Sequence, residues 1–315
     1  MWEEEIFIFF FSFFLFFLFF FCCEVNFFFM LLNTDVELGF KTMRFPKDKS
    51  NIVDEDEFKE MVDYYMSQGF NYFDTSYAYH HRESERVLKS VLIDRYPRES
   101  YRIADKLPAC VLNKPEDNEK IINSMLERFD IKYFDVFLLQ IINNVSFIQA
   151  ENAEFFEYIR ILKENGVICD FGISFHSDVD LLEEILKKYG DVLDFVQLQV
   201  NFLDWDDNSF YSRKCHKLTL KYGLDLIVTK SFKGGDLLGL VDDFKVHFDY
   251  LDVSVSEMAL RFAGSLGNVR IVLASMDTLK QVKENCRIFK DFKHISNGEY
   301  YFLMTLAEEV KKTNY

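Results

Sequence analysis

The amino-acid sequence predicts an α/β protein, a (β/α)8 TIM barrel with an additional C-terminal helix. From Val36 onward, eight short apolar runs alternate with amphipathic stretches, and no Pro- or Gly-rich linker separates them. Strands that alternate with helices in this way form parallel sheets. Eight repeats over about 280 residues favour closure into a barrel. An open, doubly wound sheet would need a G-x-G-x-x-G turn after its first strand, and residues 39–44, GFKTMR, do not supply one.

The predicted strands are short apolar runs at positions 37–40, 72–74, 102–106, 136–139, 169–174, 195–198, 226–229 and 270–273. Helical periodicity is clear at 178–188, where one face carries Leu181, Leu182, Ile185 and Leu186. A further helix is predicted at 297–312. Four glycines follow helical patterns and are predicted to end the helices in the left-handed conformation: Gly69, Gly166, Gly190 and Gly223.

Residues 1–29 differ in composition from the rest of the chain and contain 14 of its 37 phenylalanines. Residues 6–23 form an apolar run that is interrupted only by Ser12 and is just long enough to cross a bilayer as a helix. Acidic residues precede this run, which is unlike a secretory signal. The composition favours translation from Met30, so that residues 1–29 are a Phe-rich leader read from upstream DNA and residues 30–315 are the barrel. The alternative is a membrane anchor, with the basic residues after it keeping the barrel cytoplasmic.

Charge and cysteine usage exclude several classes of protein. The formal net charge is −16, so nucleic acid is not expected as a partner, because phosphate backbones require a basic surface. No C-x-x-C spacing occurs among the six cysteines, so neither a zinc site nor a disulfide framework is expected. Scattered free cysteines suit a reducing compartment. We therefore expect a cytoplasmic protein, with a membrane as partner only if residues 6–23 are an anchor.

Residues near the second and third predicted strand ends suggest a chemistry. Asp74, Tyr79 and Lys106 lie there, and catalytic residues of such barrels lie at the C-terminal ends of strands. An ammonium held by a carboxylate favours a nearby phenolate, so the pKa of Tyr79 is expected to be lowered toward the working range. Such a phenol can protonate a carbonyl oxygen as hydride reaches the carbon. Each residue also has a purely structural interpretation. In it, Asp74 braces its loop, Tyr79 is an aromatic residue at the rim of the barrel, and Lys106 is a solvated residue at the end of its strand.

The surrounding segments resemble the aldo-keto reductases. The resemblance is carried by GFNYFDTSYAY at 69–79, SERVL at 84–88, ADKLP at 104–108, GISFH at 172–176, QLQVN at 197–201 and EN at 284–285. It extends from about Met30 to Lys293 and is greatest with the bacterial, clostridial-type branch, whose members often carry a ferredoxin-like iron–sulfur segment. The family fold is a (β/α)8 barrel, in agreement with the strand count.

This resemblance implies an NAD(P)H-dependent reductase of small aldehydes or ketones, with NADP(H) or NAD(H) as cofactor. Asp74, Tyr79 and Lys106 match three members of the family's catalytic tetrad, and Tyr79 is the implied general acid. The implied cofactor-binding positions are Thr42 and Met43 after the first strand, Ser174 and Gln197 at the nicotinamide carboxamide, Lys230 after strand seven, Gln281, and Asn285 at adenine.

Three positions depart from the family pattern. Gln140 stands where the fourth tetrad member is a His, so we expect it to orient the substrate without titrating. Lys41 stands where the family generally has a glycine beneath the cofactor pyrophosphate, and it would either obstruct the phosphate or meet it as a cation. Ser275 and Gln281 replace the Lys and Arg of the usual 2′-phosphate clamp, and Gln281 is also a candidate partner of Thr278 in a helix capping box.

The departures leave two hypotheses for the function. The first is an active carbonyl reductase in which Gln140 orients the substrate. The second is a catalytically impaired, cofactor-binding pseudoenzyme with a sensing or scaffold role. No C-x-x-C-x-x-C run follows the barrel, so no iron–sulfur cluster is expected in this chain.

Overall fold

The computed structural model describes residues 36–239, Phe248 and residues 253–313, and its eight parallel strands form a closed barrel. The strands follow one another around the barrel in chain order, and the eighth pairs with the first. They are β1 (Glu37–Lys41), β2 (Tyr72–Asp74), β3 (Arg102–Pro108), β4 (Phe134–Ile141), β5 (Ile168–Phe175), β6 (Phe195–Gln199), β7 (Asp225–Thr229) and β8 (Val269–Ser275). The predicted fold class is confirmed, and all eight predicted strands are present, most of them longer than predicted.

Helices cover the outside of the barrel. In the described part of the chain they are α1 (Glu55–Ser67), α2 (Glu83–Leu88), α3 (Pro115–Phe129), α4 (Asn144–Asn152), α5 (Phe155–Glu164), α6 (Val179–Tyr189), α7 (Ser212–Lys221), α8 (Asp236–Gly239), α9 (Val255–Gly264), α10 (Leu279–Lys290) and α11 (Asn297–Thr313). The predicted additional helix is α11. No helix of the described residues is long and apolar enough to cross a membrane, and the predicted leader, residues 1–29, lies outside them.

Helix ends follow the sequence signals with one exception. Gly69, Gly166 and Gly223 have φ of 90°, 69° and 68°, as predicted for left-handed residues that end helices. The prediction for Gly190 is wrong, since its φ is −58°. Its N–H bonds to the Leu186 carbonyl at 3.0 Å, so the helical hydrogen-bond pattern simply continues through it.

The core has an outer layer between strands and helices and an inner layer within the barrel. The apolar face of α6 exemplifies the outer layer, because Leu181, Leu182, Ile185 and Leu186 are all buried. Burial of each such side chain contributes ~1.5–3 kcal/mol. The inner layer is a separate cluster made by Tyr72, Ala104, Val136, Leu138, Phe195, Ile227, Ile271 and Leu273.

Two glycines in the strands allow the barrel interior to close tightly. A Cβ on Gly172 would lie 2.5 Å from both the ring and the carbonyl oxygen of Phe195. A Cβ on Gly39 would lie 2.5 Å from Leu273. Both positions therefore face inward. Because side chains alternate along a strand, the residues two positions later, Lys41 and Ser174, also face inward.

The same alternation applies to every strand and defines the mouth of the barrel. One inward layer is small or mostly apolar: Gly39, Tyr72, Ala104, Leu138, Gly172, Phe195, Ile227 and Leu273. The next inward position toward the C-terminal end is polar on all eight strands. We call this layer the polar ring: Lys41, Asp74, Lys106, Gln140, Ser174, Gln197, Thr229 and Ser275.

Candidate active site

The centre of the polar ring is a buried ion pair. Lys106 Nζ donates a hydrogen bond to Asp74 Oδ1 at 2.5 Å, and both side chains are almost fully buried. The second carboxylate oxygen, Asp74 Oδ2, accepts from Gln197 Nε2 at 3.3 Å. Burial of a charge costs free energy, which pairing and hydrogen bonding offset, and both oxygens of Asp74 are hydrogen-bonded in this way. These hydrogen bonds hold Asp74 and Lys106, the two residues predicted at strand ends, in a fixed arrangement.

Ser174 and His176 extend this hydrogen-bonded network along β5 and β6. The Ser174 hydroxyl donates to Gln197 Oε1 at 3.0 Å, so it accepts from His176 Nε2 at 3.2 Å. His176 Nδ1 in turn accepts from Gln199 Nε2 at 2.5 Å. Burial lowers the pKa of His176 to about 4, helped by the positive charges of Lys230, Lys41 and Lys106. His176 is therefore a neutral imidazole protonated on Nε2, and it holds Ser174 in place.

Tyr79 starts the turn that follows β2 and lies over Lys106. Its ring centroid is 5.3 Å from Lys106 Nζ, close enough for a cation–π contact. His80, which follows it, has a φ of 49°, and its ring Nε2 lies 2.8 Å from the Met43 carbonyl oxygen. The turn that carries Tyr79 is therefore linked to the loop after β1.

The expected lowering of the Tyr79 pKa is wrong for this structure. Burial raises the pKa of Tyr79 well above its usual value of 10, and the negative charges of Asp74 and Asp105 raise it further. The ammonium of Lys106 does not outweigh these effects, because it is already paired with Asp74. Tyr79 is therefore a neutral phenol that carries its proton throughout the neutral range. Such a group can donate a proton, which is the direction that carbonyl reduction requires.

Gln140 lies at the end of β4, directly beside Ser174 of β5 in the strand register. It is half-buried, and its amide forms no hydrogen bond with any residue that the structure describes. An inward-facing amide in this state has free N–H donors. Gln140 is thus available to a bound molecule, although it cannot carry charge.

Lys41 occupies the polar ring beside the ion pair. Its side chain is buried, and Nζ donates to Thr229 Oγ1 on β7 at 2.7 Å, across the end of β8. Burial, together with the nearby positive charge of Lys106 and against the opposing effect of Asp74, lowers the pKa of Lys41 from 10.5 to about 8. Lys41 reaches across the mouth of the barrel and does not point into solvent.

A cleft extends outward from Lys41 between the loops after β1 and β7 and the start of α10. Four predicted cofactor residues line it: Met43, Lys230, Gln281 and Asn285. Its other walls include Arg44, Ser231, Gly234, Gly235, Ser275 and Glu284. Ammonium and guanidinium groups beside small residues and amides suit an elongated ligand that carries phosphates. The donor set therefore fits a dinucleotide cofactor.

Three predicted cofactor residues do not line this cleft: Ser174 and Gln197, which belong to the polar ring, and Thr42. Thr42 is fully buried, and its hydroxyl donates to the Asp74 carbonyl at 3.0 Å and meets Ser84 Oγ at 2.8 Å. Thr42 N–H also bonds to the Asp74 carbonyl, at 2.8 Å. These contacts give Thr42 a role in fixing the end of β2.

Gln281 performs a structural task in addition to lining the cleft. Thr278 caps α10 by accepting from Gln281 N at 3.3 Å. The Gln281 side chain does not complete the expected capping box, because its Oε1 accepts from Asp277 N at 2.8 Å. Its NH2 group remains for a ligand.

Lys41, Arg44 and His176 were not among the residues assigned to the site from sequence. Arg44 lines the cleft and its guanidinium donates to the Gly234 carbonyl, linking the two loops that border the cleft. A signal existed for His176, since it lies two positions after Ser174 at a strand end. Lys41 was visible only as a departure from the family pattern.

Comparison with known proteins gives a family and a set of related folds. The sequence pattern of the Aldo/keto reductase family matches residues 37–299. A comparison with curated proteins finds no match.

Solved structures of aldo-keto reductases share the fold at low sequence identity. One from Bacillus halodurans, in its holo form, has 21% identity and a TM-score of 0.69, over 87% of this chain and 94% of that one. One from Klebsiella pneumoniae, in complex with NADPH, has 15% identity and a TM-score of 0.70, over 86% and 90%. One from Brucella melitensis has 19% identity and a TM-score of 0.64, over 85% and 94%.

Proposed function

This chain belongs to the aldo/keto reductase family, and on that premise we propose that it is an NAD(P)H-dependent reductase of small aldehydes or ketones. The observation that carries the proposal is the buried Lys106–Asp74 pair with the Tyr79 ring over its ammonium. These groups lie at the C-terminal mouth of the barrel, where enzymes of this fold carry out their chemistry.

The nicotinamide cofactor supplies hydride when bound, and the residues of the chain supply the proton and the orientation. Tyr79 donates its phenol proton to the carbonyl oxygen, which becomes the alcohol oxygen. Lys106 lies beside the phenolate that remains and stabilises its negative charge. Because burial raises the pKa of Tyr79, the proton is present at neutral pH. Tyr79 is therefore in the protonation state from which carbonyl reduction begins.

Gln140 takes the position of the tetrad histidine in this proposal. Its amide has free N–H donors and can hydrogen-bond the carbonyl oxygen, which positions the substrate next to Tyr79. The Gln140 amide stabilises the negative charge that develops on the carbonyl oxygen less than the family's histidine does. Loss of one positioned group of this kind commonly lowers the reaction rate ~10²-fold or more. Slow turnover is the expected consequence.

Ser174 and Gln197 hold the nicotinamide carboxamide, and the cleft holds the rest of the cofactor. Their mutual hydrogen bond at 3.0 Å, supported by His176, fixes both side chains before any ligand arrives. The Klebsiella pneumoniae structure contains NADPH, which supports NADP(H) as the first cofactor to test, with NAD(H) as the second.

The second candidate is a cofactor-binding pseudoenzyme. The observation that favours it is Gln140, which cannot titrate where the family has a histidine. Titration of the full-length chain with NADPH and NADH, followed by a panel of small aldehydes and ketones at saturating cofactor, separates the two. Binding together with turnover supports the reductase. Binding without turnover supports the pseudoenzyme, and no binding contradicts both.

A further inference from the structure

Lys41 is a buried ammonium group without a carboxylate of its own. Its side chain is 6% exposed, and its hydrogen-bond partner is the neutral Thr229 hydroxyl. Asp74, on the neighbouring strand, already receives Lys106 at 2.5 Å and Gln197 at 3.3 Å. Among the described residues, Lys41 forms no ion pair. A buried cation in this state is stabilised by any anion that reaches it.

The charges of the polar ring lead to the same conclusion. The ring contains two ammonium groups, Lys41 and Lys106, and one carboxylate, Asp74. The nearby His176 is neutral at physiological pH and Tyr79 keeps its proton. When Lys41 is protonated, the polar ring of this acidic protein therefore carries one uncompensated positive charge. Such a site is complementary to a single added anionic group.

The location of Lys41 indicates which anionic group of a bound cofactor it contacts. Lys41 lines the same cleft as Lys230, Ser231, Gly234 and Asn285. In the proposed function the adenine end of the dinucleotide lies at Asn285 and its nicotinamide at Ser174, so the pyrophosphate connects the cleft with the polar ring. Lys41 is the cation that belongs to both, since it is part of the polar ring and also lines the cleft. A glycine is usual at this position in the family, so a cationic contact here is specific to this chain.

We propose that Lys41 binds the pyrophosphate of the nicotinamide cofactor as a cation, and that cofactor binding is therefore coupled to the uptake of one proton at alkaline pH. The inference rests on the proposed function, because it takes the ligand to be a nicotinamide dinucleotide.

The coupling follows from the groups that surround Lys41. Burial disfavours the charge of Lys41, Lys106 on β3 and Lys230 after β7 repel its proton, and Asp74 on β2 attracts it. The free group therefore has a pKa of about 8. Glu284 of α10 lines the same cleft. A bound pyrophosphate adds negative charge and raises the pKa of Lys41. Between pH 8 and 10 the complex therefore holds a proton that the free protein has lost.

The test is calorimetric titration of the full-length chain with NADP+ in two buffers of different ionisation enthalpy. The difference between the buffers gives the number of protons taken up. We expect nearly one proton per NADP+ at pH 9 and nearly none at pH 6.5. Wild-type affinity should fall about tenfold from pH 8 to pH 9.5, because the competent, protonated fraction falls.

Three variants identify the group. Lys41→Met should lose the proton uptake and bind NADP+ about 100-fold more weakly at pH 7, because proton binding and cofactor binding strengthen each other by the same factor. Lys41→Arg should bind without proton uptake at any of these pH values, since an arginine stays charged. Lys59→Met, which removes a lysine on the outer face of α1, should behave as wild type.

The outcomes separate this inference from the proposed function. Failure of the wild-type chain to bind NADP+ or NAD+ contradicts the proposed function and the inference together. Binding without proton uptake at pH 9 contradicts the inference alone. So does uptake that appears only when a carboxylate such as acetate is added to the NADP+ complex, since Lys41 would then serve the substrate. Proton uptake with inorganic pyrophosphate that is lost in Lys41→Met supports the inference even without turnover.

Discussion

Lys106 donates a 2.5 Å hydrogen bond to Asp74 in the barrel mouth, where both side chains are nearly excluded from solvent. This one pair connects the stability of the barrel with its chemistry, because the same ammonium lies 5.3 Å from the centroid of the Tyr79 ring. The predictions that follow separate the two roles.

Lys106→Met should destabilise the protein and abolish reduction. The variant leaves Asp74 buried and unpaired, which costs roughly 3–5 kcal/mol. The double variant Asp74→Asn/Lys106→Met should recover most of that free energy of unfolding, because the unpaired carboxylate is gone, yet it should stay inactive. Urea unfolding and initial rates at saturating cofactor measure the two effects. Recovery of activity in the double variant would show that Lys106 is structural only.

Gln140→His should raise turnover by about tenfold or more, because it restores the donor that the family uses at this position. The Gln140 amide makes no hydrogen bond to a described residue, so the replacement breaks no contact seen in the structure. Gln140→Leu, which removes the donor and keeps a similar volume, is the matched control and should lower turnover. The comparison is of kcat with one aldehyde at saturating cofactor. Equal kcat in all three proteins would contradict a role for this position.

NADPH and NADH should bind within about tenfold of each other, or ~1.4 kcal/mol. Ser275 and Gln281 carry no charge, and Lys233 is occupied by an ion pair with Asp204 at 2.6 Å. Direct titration of both cofactors measures the ratio. A preference of several hundredfold for NADPH would contradict the prediction, and Arg44→Ala would then test whether the guanidinium in the cleft is responsible.

The unliganded protein should become more stable relative to Lys41→Met as pH rises from 7 to 10. The folded pKa of Lys41 is about 8 and its ordinary value is 10.5, so in this window the unfolded chain holds a proton that the folded chain has lost. The free energy of unfolding therefore increases with pH, by an amount on the order of 3 kcal/mol. Urea unfolding at unit pH intervals, with Lys59→Met as control, measures it. Parallel pH profiles for wild type and Lys41→Met would contradict the depressed pKa.

The sequence predicted the fold closely because its signals are local. Alternating apolar runs locate the strands, and glycines such as Gly69 mark helix ends. The ends of the predicted strands are also local features, which is why Asp74 and Lys106 could be predicted as site residues. The prediction of a left-handed Gly190 was wrong because a glycine after a helix permits that conformation without requiring it.

The rest of the site depends on contacts between distant parts of the chain. Thr42 is bonded to Ser84, 42 residues away, and its burial cannot be read from its neighbours. Lys41 meets Thr229 across 188 residues. The pKa of Tyr79 was predicted in the wrong direction because sequence spacing shows which charges are near but not how far burial excludes water.

The most direct test of the account is the rate of carbonyl reduction by Tyr79→Phe at saturating cofactor, measured beside its affinity for NADPH. The substitution removes one hydroxyl and keeps the ring over Lys106. If Tyr79 donates the proton, reduction should fall by at least about 10²-fold across pH 6 to 9, while NADPH affinity changes less than about twofold. If Tyr79→Phe reduces aldehydes as fast as the wild-type chain, the assignment of Tyr79 as the general acid is wrong.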